Sequence, residues 1–323
     1  MSVEIGRIHP QNTPPPINSN SRLGIPGTGW FINLTDRHPA FFFLLPAMLF
    51  LILLNIFPFI YSFALSFNQW NLANRLGTWK FVGLQNYATI LFNDPFFWSA
   101  VRVTVIFIFI SVAIELLLGL VISIVVAQET RGVDFIRTII VIPMMITPVV
   151  VGLIWRFMYN TDLGMMNYLL GLIGIQGPIW LGDVRFAMWA IVIADVWEWT
   201  PFMFLILLAA LQSLPTEPIE SALVDGASRY QMLRFIILPM IKPAIVIALL
   251  LRIIDSFKTF DLVYVLTMGG PGVSTQLLSL YTYKWGFKFF EMGYASALSY
   301  LMLFAIDFVA TAGVSLSRVS AEK

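Results

Sequence analysis

Six long apolar runs constrain the fold of this chain more than any other feature of its sequence. They cover roughly residues 40–67, 99–127, 138–159, 187–213, 240–267 and 292–316. A helix needs about 20 apolar residues to cross the hydrocarbon region of a bilayer. We therefore predict an all-α integral membrane protein with six transmembrane helices. Several runs contain proline or an ionisable residue, so the helices should pack into a bundle that satisfies those groups.

The composition excludes a soluble protein. The chain is 59% hydrophobic and 11% charged over 323 residues, whereas soluble domains carry about 25% charged residues. Cysteine is absent, which excludes disulfides, Cys-ligated zinc and thiol nucleophiles. The two histidines, His9 and His38, precede the first apolar run. We therefore expect no buried histidine-based catalytic or metal site.

The polar ends of the chain suggest its topology. Residues 1–39 are rich in Pro, Asn and Ser, which predicts a disordered tail, followed by a transmembrane domain over residues 40–318. Six spans place both termini on one side of the membrane. That side carries about ten Lys and Arg residues against about five on the other, and positive charge marks the inside. We expect a multi-pass membrane protein with both termini, and hence the tail, in the cytoplasm.

One charged segment interrupts the apolar pattern between the fourth and fifth runs. It reads IESALVDGASRYQMLRFIILPMIKPAI over residues 219–245 and has apolar residues at helical spacing. Pro215 and Pro218 precede it, where proline can begin a helix but not continue one, and Gly226 interrupts it. Over residues 215–240 the pattern predicts two short helices at an angle, suited to docking on another protein. The alternative is an ordinary connecting loop.

Two stretches carry a resemblance to a known family. ESALVDGASRYQMLRFIILP resembles the EAA motif of permease subunits in bacterial ATP-binding-cassette (ABC) importers, with Ser221 in place of an alanine. FDLVYVLTMGGPGVSTQ, residues 260–276, is similar to a stretch typical of the carbohydrate branch, the maltose-type and glycerol-phosphate-type permeases. The likeness extends over about residues 95–316. It implies the transmembrane domain of a type I ABC importer, with its core in that range, located in the bacterial cell (inner) membrane.

The resemblance also implies a role for the charged segment. In this family the segment is the coupling helix, which seats in a cleft of an ATPase subunit. The residues that would couple the two subunits are Glu220, Ser221, Ala222, Asp225, Gly226 and Arg229. Glu220 lies in a first helical turn, where an anion is favoured, and it could pair with an arginine of the partner. The alternative for Glu220 is a solvated acid with no partner.

Further subunits follow from the same resemblance. The chain lacks a GxxxxGK[ST] phosphate loop, so it is expected to be a non-catalytic subunit without a cofactor of its own. ATP and Mg would bind to two partner ATPase subunits. A second, different permease would complete the pathway, and an extracytoplasmic solute-binding protein would deliver the substrate.

Ionisable residues inside apolar runs are candidates for the substrate pathway because they are expensive there. Helical spacing places Asp195, Glu198 and Trp199 on one face of the fourth run. In the fifth run it places Arg252, Ser256 and Thr259 on one face, with Asp255 beside them. Carboxylates, arginine and indole rings suit hydroxyl groups and the C–H faces of sugars. The resemblance places these parts of the two helices at a mid-membrane cavity.

Other roles stay open for these charges. Arg252–Asp255 and Asp255–Lys258 could be internal ion pairs that hold the bundle together. For Glu115 and Asp307, bundle packing or contact with a partner is the expectation. The pair Trp197 and Trp199 suggests a polyhydroxylated ligand: a sugar, a polyol, or an acidic or phosphorylated derivative. Arg252 decides between these. If it faces the cavity, its planar donors could hold an anionic group or a pair of hydroxyls, and if it is locked to Asp255, the site would suit a neutral sugar.

Two other classes of function compete with an importer permease. A secondary active transporter would use the intramembrane Asp, Glu and Lys residues as ion-coupling sites. Such transporters are commonly built from internal repeats, and the sequence shows none. A membrane enzyme would need a catalytic cluster, and the sequence contains no His, Cys or metal-ligand cluster within its apolar runs.

Overall fold

The computed structural model of the chain describes residues 39–74, 79–127 and 132–321, so the tail expected over residues 1–38 lies outside it. The chain divides into a unit that ends at Ile60 and a unit that begins at Tyr61, and all sites discussed below lie in the second. Within the described residues the helices are α1 (Pro39–Leu51), α2 (Phe57–Ser66), α3 (Gln85–Ala88), α4 (Pro95–Ala127), α5 (Val133–Val141), α6 (Pro148–Met158), α7 (Met165–Leu172), α8 (Val184–Gln212), α9 (Glu217–Val224), α10 (Arg229–Met232), α11 (Leu238–Ser256), α12 (Asp261–Leu266), α13 (Leu278–Tyr283) and α14 (Met292–Ala321).

Short irregular segments connect or interrupt several of these helices. Wide π-helical turns occur at Ile52–Ile56, Thr89–Asn93, Leu233–Ile237 and Lys284–Lys288, and a tight 3₁₀ turn at Pro143–Met145. Two short strands, β1 (Asn68–Gln69) and β2 (Lys80–Phe81), pair antiparallel. Apart from this small hairpin, regular structure in the described part of the chain is helical, as the apolar runs predicted.

Five helices in the described residues are long and apolar enough to cross a membrane. They are Phe43–Ser66, Pro95–Ala127, Val184–Gln212, Arg229–Ser256 and Met292–Ser315. The remaining predicted span, 138–159, is divided between the end of α5, the 3₁₀ turn and the short apolar helix α6. Pro143 and Pro148 explain the division, because proline lacks the N–H of a helical hydrogen bond and clashes with the preceding turn.

The fifth span is shifted towards the N-terminus of the predicted range. It forms one apolar helix from Arg229 to Ser256, whereas the sequence predicted residues 240–267. After Ser256 the backbone tightens, and the amides of Lys258 and Thr259 bond to carbonyls three residues back. Helix α12 then begins at Asp261. The predicted face of the fifth run assumed one continuous helix. Because of this break, the polar residues around Thr259 do not follow that helical spacing.

Helices α4 and α8 share the most extensive helix–helix contact of the described residues. A Cβ atom added at Gly119 of α4 would lie 2.6 Å from the Cβ atom of Met203 in α8. Glycine therefore lets the two backbones approach more closely than any side chain would permit. The main hydrophobic core surrounds this contact with buried residues from α4, α6, α8, α11 and α12, among them Phe107, Val151, Ile191, Met203, Ala248 and Leu262.

Asp94 joins the start of α4 to two other helices. Its Oδ1 atom accepts the amides of Phe96 at 3.0 Å and Phe97 at 3.2 Å, which satisfies free N–H groups of the first turn. Its Oδ2 atom accepts the hydroxyl groups of Tyr281 in α13 and Tyr294 in α14. Burial and the bond to Asp94 raise the pKa of Tyr281, so this hydroxyl stays protonated and donating.

Candidate functional site

Three buried charges from three helices meet inside the bundle. Arg252 of α11 donates to both carboxylate oxygens of Glu115 in α4, at 2.7 and 2.9 Å. It also donates to Oδ2 of Asp195 in α8, at 2.6 Å. All three side chains are almost completely buried. A buried ion pair of this kind is retained only where hydrogen bonds compensate its desolvation, and here the rigid fork of arginine supplies them. We call Glu115, Asp195 and Arg252 the buried triad.

The rest of the Arg252 side chain faces two further groups. Its guanidinium carbon lies 4.9 Å from the ring centre of Trp199, a cation–π contact. Its Nη1 atom makes no hydrogen bond within the described residues and lies 3.5 Å from Oδ2 of Asp255, one helical turn away. Ser256 bonds back to the carbonyl oxygen of Arg252 and is buried. The internal pair Arg252–Asp255 is therefore present but secondary, and the described part of the chain contains no ion pair between Asp255 and Lys258.

A polar cavity of about 180 Å³ lies beside the buried triad. Five of the predicted pathway residues line it: Asp195, Glu198, Trp199, Asp255 and Thr259. The break after α11 adds further lining residues that the helical spacing did not single out, namely Lys258, Phe260, Asp261 and Leu262, with Pro148 of α6. The structure thus brings most of the predicted set together at one small polar site.

Two predicted pathway residues do not reach this cavity. Arg252 is held in the buried triad, and Ser256 is fully buried against the backbone of the same helix. Glu115, expected to serve bundle packing or partner contact, packs within the bundle as the main partner of Arg252. The two tryptophans also separate. Trp199 lines the polar cavity, whereas Trp197 lines an apolar groove of about 520 Å³, because positions two apart on a helix point to different faces.

The charged segment has the predicted helix–glycine–helix form. Helix α9 ends at Val224, and Gly226 follows with a φ of +77°, a conformation that glycine adopts at least cost. The amide of Ala227 bonds to the carbonyl of Ala222, which closes the end of the helix in the manner of a Schellman motif. Ser228 then begins α10 in a reciprocal capping box with Gln231.

Most of the residues predicted to couple to a partner are exposed. The exposed ones are Glu220, Ser221, Asp225, Gly226 and Arg229, and Ala222 is buried. Several large apolar side chains of the same segment are exposed as well, namely Leu223, Val224, Tyr230 and Phe235. The segment therefore presents apolar and charged groups together.

Curated relatives and solved structures resemble the chain over most of its length. The trehalose/maltose transport system permease protein MalF of Thermococcus litoralis is 42% identical over 221 residues, which cover 68% of this chain and 74% of that protein. The trehalose transport system permease protein SugA of Mycobacterium tuberculosis is 37% identical and covers 89% of this chain and 91% of its own. The sulfoquinovosyl glycerol transport system permease protein SmoG of Agrobacterium fabrum is 35% identical, with coverages of 88% and 91%.

A solved structure and a family model point to the same class of protein as these relatives. A crystal structure of a bacterial alginate ABC transporter, in complex with an alginate pentasaccharide-bound periplasmic protein, contains a chain that matches with a TM-score of 0.76. That chain is 21% identical, and the match covers 91% of this chain and 98% of the other. The family model described as the binding-protein-dependent transport system inner membrane component matches residues 116–318. The chain therefore belongs to the family of binding-protein-dependent transport system inner membrane components, the multi-pass permease components of ABC transporters.

Proposed function

We propose that this permease component carries a sugar or polyol across the membrane. The observation that carries the proposal is the polar cavity, because carboxylate, hydroxyl, ammonium and aromatic groups meet there inside helices otherwise suited to lipid. Such groups bind hydroxyls and the C–H faces of sugar rings. The names of two relatives, a trehalose/maltose permease and a trehalose permease, support the same substrate class.

The pathway residues in this proposal are those that line the cavity and those that fix its wall. Glu198, Asp255 and Thr259 would contact the substrate directly. Asp195 and Trp199 line the cavity and also contact Arg252, whereas Arg252 and Ser256 are buried and would act by holding α8 and α11 in register. The cavity is small, so a second, different permease would supply the opposite wall of the pathway.

The exposed charged segment would couple this chain to its energy source. In the proposed complex two ATPase subunits bind ATP and Mg on the cytoplasmic side, where both termini of this chain would lie. The segment around Gly226 would seat in a cleft of one ATPase subunit, with Glu220 and Arg229 available for ion pairs. A solute-binding protein would deliver substrate on the opposite side. No catalytic step would fall to this chain itself.

The test is ATP-driven sugar uptake by the assembled complex. Trehalose and maltose are offered, with the solute-binding protein, to proteoliposomes that contain both permeases and the ATPase. We expect uptake that requires ATP hydrolysis and falls with Glu198→Gln or Thr259→Val while ATPase association persists. Uptake by this chain alone in ATPase-free liposomes, driven by a proton or sodium gradient, would instead establish the secondary transporter.

Coupling is tested separately by substitution in the exposed segment. Glu220→Lys reverses a charge at the proposed contact, and Gly226→Leu places a side chain where φ is +77°. Both should reduce ATPase co-purification and substrate-stimulated hydrolysis. Glu217→Lys, in the first turn of the same helix, is the matched control. Wild-type values for both coupling variants would remove these residues from the proposal.

A further inference from the structure

Arg252 does not line the cavity, and most of its hydrogen-bonding capacity is used inside the buried triad. Its Nε and Nη2 atoms donate to Glu115 and Asp195, and its guanidinium group lies over the ring of Trp199. The remaining nitrogen, Nη1, has no hydrogen-bond partner within the described residues and lies 3.5 Å from Asp255. An anionic group could therefore reach only Nη1 without displacing a carboxylate, and it would meet Asp255 there.

The groups that do line the cavity are predominantly acidic. Asp195, Glu198, Asp255 and Asp261 line it, and among the described lining residues Lys258 is the one cationic side chain. Arg252 offsets charge only within the buried triad, where two carboxylates already face it. Asp255 and Asp261 alone outnumber Lys258, so the cavity is expected to repel anions, because interactions inside a low-dielectric bundle are weakly screened.

One buried acceptor marks the cavity as a binding site rather than a chance cluster of acids. Asp195 lines the cavity and is 1% exposed. Its Oδ1 atom has no hydrogen-bond partner within the described part of the chain. A buried acceptor left without a donor costs free energy. A hydroxyl group can donate to it, whereas a carboxylate, sulfonate or phosphate group brings only acceptors.

We propose that this cavity selects neutral polyhydroxylated substrates and excludes anionic sugar derivatives. The inference rests on the proposed sugar transport and specifies its substrate class. Hydroxyl donors of a neutral ring would bind to the carboxylates, with Asp195 Oδ1 among the acceptors. Phosphorylated or otherwise acidic sugars would meet Asp255 and Asp261 against the single ammonium group of Lys258.

The absence of cysteine permits a direct measurement of this charge selection without any sugar. Thr259→Cys places a single thiol at the cavity wall, and Leu163→Cys places one on a loop residue that is 93% exposed. The assembled complex, without its solute-binding protein, is treated with cationic, anionic and neutral methanethiosulfonate reagents. The ratio of the cationic to the anionic rate at each position reports the local potential.

We expect that ratio to be roughly tenfold higher for Thr259→Cys than for Leu163→Cys, the lower end of the range for charged clefts. Adding Asp255→Asn and Asp261→Asn should bring it towards the control value. Equal ratios at the two positions, or a faster anionic reaction at the cavity, would overturn the proposal. Failure of all three reagents to react at Thr259→Cys would also overturn it, since no solute would then reach this wall.

A second arm separates this inference from the function on which it rests. Trehalose, maltose and trehalose 6-phosphate are offered for ATP-driven uptake by the complete wild-type importer. Transport of either neutral sugar without the phosphate supports the selection, and efficient transport of trehalose 6-phosphate contradicts it. Uptake of none of them counts against the proposed sugar function, while the thiol ratio still decides the charge selection.

Discussion

At the scale of single residues, the buried triad shows how a charged side chain can serve structure within a transport protein. Arg252 compensates two carboxylates on two other helices, and those carboxylates compensate Arg252. Loss of Arg252 would leave both carboxylates without a counter-charge, whereas loss of one carboxylate would leave a one-to-one pair. The main effect on stability comes from the charge that remains after its partner is removed. An unpaired charge in a buried site costs far more free energy than the ion pair contributes.

The first prediction is that Arg252→Gln strongly destabilises the purified complex. It leaves Glu115 and Asp195 buried without a counter-charge, and breaking such a pair costs about 3 to 5 kcal/mol. Asp255→Asn is the control, because its side chain is 46% exposed and lies 3.5 Å from Arg252, so its loss should cost less than about 1 kcal/mol. Thermal unfolding in detergent measures both.

A compensated variant makes this prediction specific. Replacing all three charges together, with Glu115→Gln, Asp195→Asn and Arg252→Met, removes the unpaired charge and should recover much of the melting temperature. The triad does not join these helices if Arg252→Gln and Asp255→Asn have the same melting temperature. The same conclusion follows if the triple variant has a lower melting temperature than Arg252→Gln.

Sequence spacing reveals such an arrangement only in part. It correctly grouped Asp195, Glu198 and Trp199, because they share one helix and a fixed period. It also noted the local pair of Arg252 and Asp255. It could not show that Glu115 competes for the same arginine across 137 positions, since contacts between helices depend on their packing and not on any local period.

At the scale of elements, close backbone contact and helix breaks arrange the site. Gly119 lets α4 lie directly against α8, which brings Glu115, one turn earlier, towards Asp195. The break after Ser256 then folds Lys258, Thr259 and Asp261 back towards α8 as lining of the cavity. The close contact between α4 and α8 and the break after α11 thus both shape this site.

The second prediction concerns the contact between α4 and α8. Gly119→Ala places a methyl group 2.6 Å from Met203 Cβ and 3.0 Å from the backbone nitrogen of Phe204. Separating the helices to relieve this overlap should cost about 1 to 3 kcal/mol and should also loosen the triad. Gly171→Ala in α7 is the matched control, because a Cβ atom there meets nothing within 4 Å.

Melting temperatures of the two alanine variants decide the matter. Gly171→Ala should equal or slightly exceed the wild type, since alanine is the better helix former. If Gly119→Ala has the same melting temperature as Gly171→Ala, the two helices can adjust and their close contact does not contribute to stability.

Proline and glycine residues predicted some of the helix boundaries but not others. Pro215, Pro218 and Gly226 correctly indicated the short helix α9 and the break after it, but the second helix is not short, because it continues from Arg229 to Ser256 as the fifth span. The apolar run over residues 138–159 hid a break, although Pro143 and Pro148 lie within it, because membrane helices often tolerate proline. Hydropathy reports burial in lipid and is insensitive to such local changes of direction.

At the scale of the whole molecule, the described chain presents a charged segment with exposed apolar side chains at its surface. Val224 is 89% exposed, although it lies on a segment that carries Glu220, Asp225 and Arg229. Apolar groups among charges are typical of a surface that a partner covers. In the proposed complex that partner is the ATPase.

The third prediction tests this surface. Val224→Asp should abolish ATPase co-purification, because it buries a charge in the proposed interface without a counter-charge. Leu163→Asp alters an equally exposed apolar residue, at 93%, on a loop outside the charged segment, and should leave the ATPase bound. Co-purification is measured by affinity capture of this chain, and folding of both variants by their melting temperatures.

An identical ATPase yield from the two variants would contradict the assignment of this surface. A loss in both, with normal melting temperatures, would mean that the loop around Leu163 also contributes to assembly and that the charged segment is not special.

The unequal roles within the buried triad have a consequence for how such proteins diverge. A lineage that loses Arg252 first passes through a form with two uncompensated buried carboxylates, whereas loss of Glu115 or Asp195 alone leaves a one-to-one ion pair. Arg252 should therefore be replaced only together with or after both carboxylates, whereas Thr259 and Lys258 can change one at a time. Substrate preference in this branch would then evolve most readily through the residues after the break, around a conserved ionic centre.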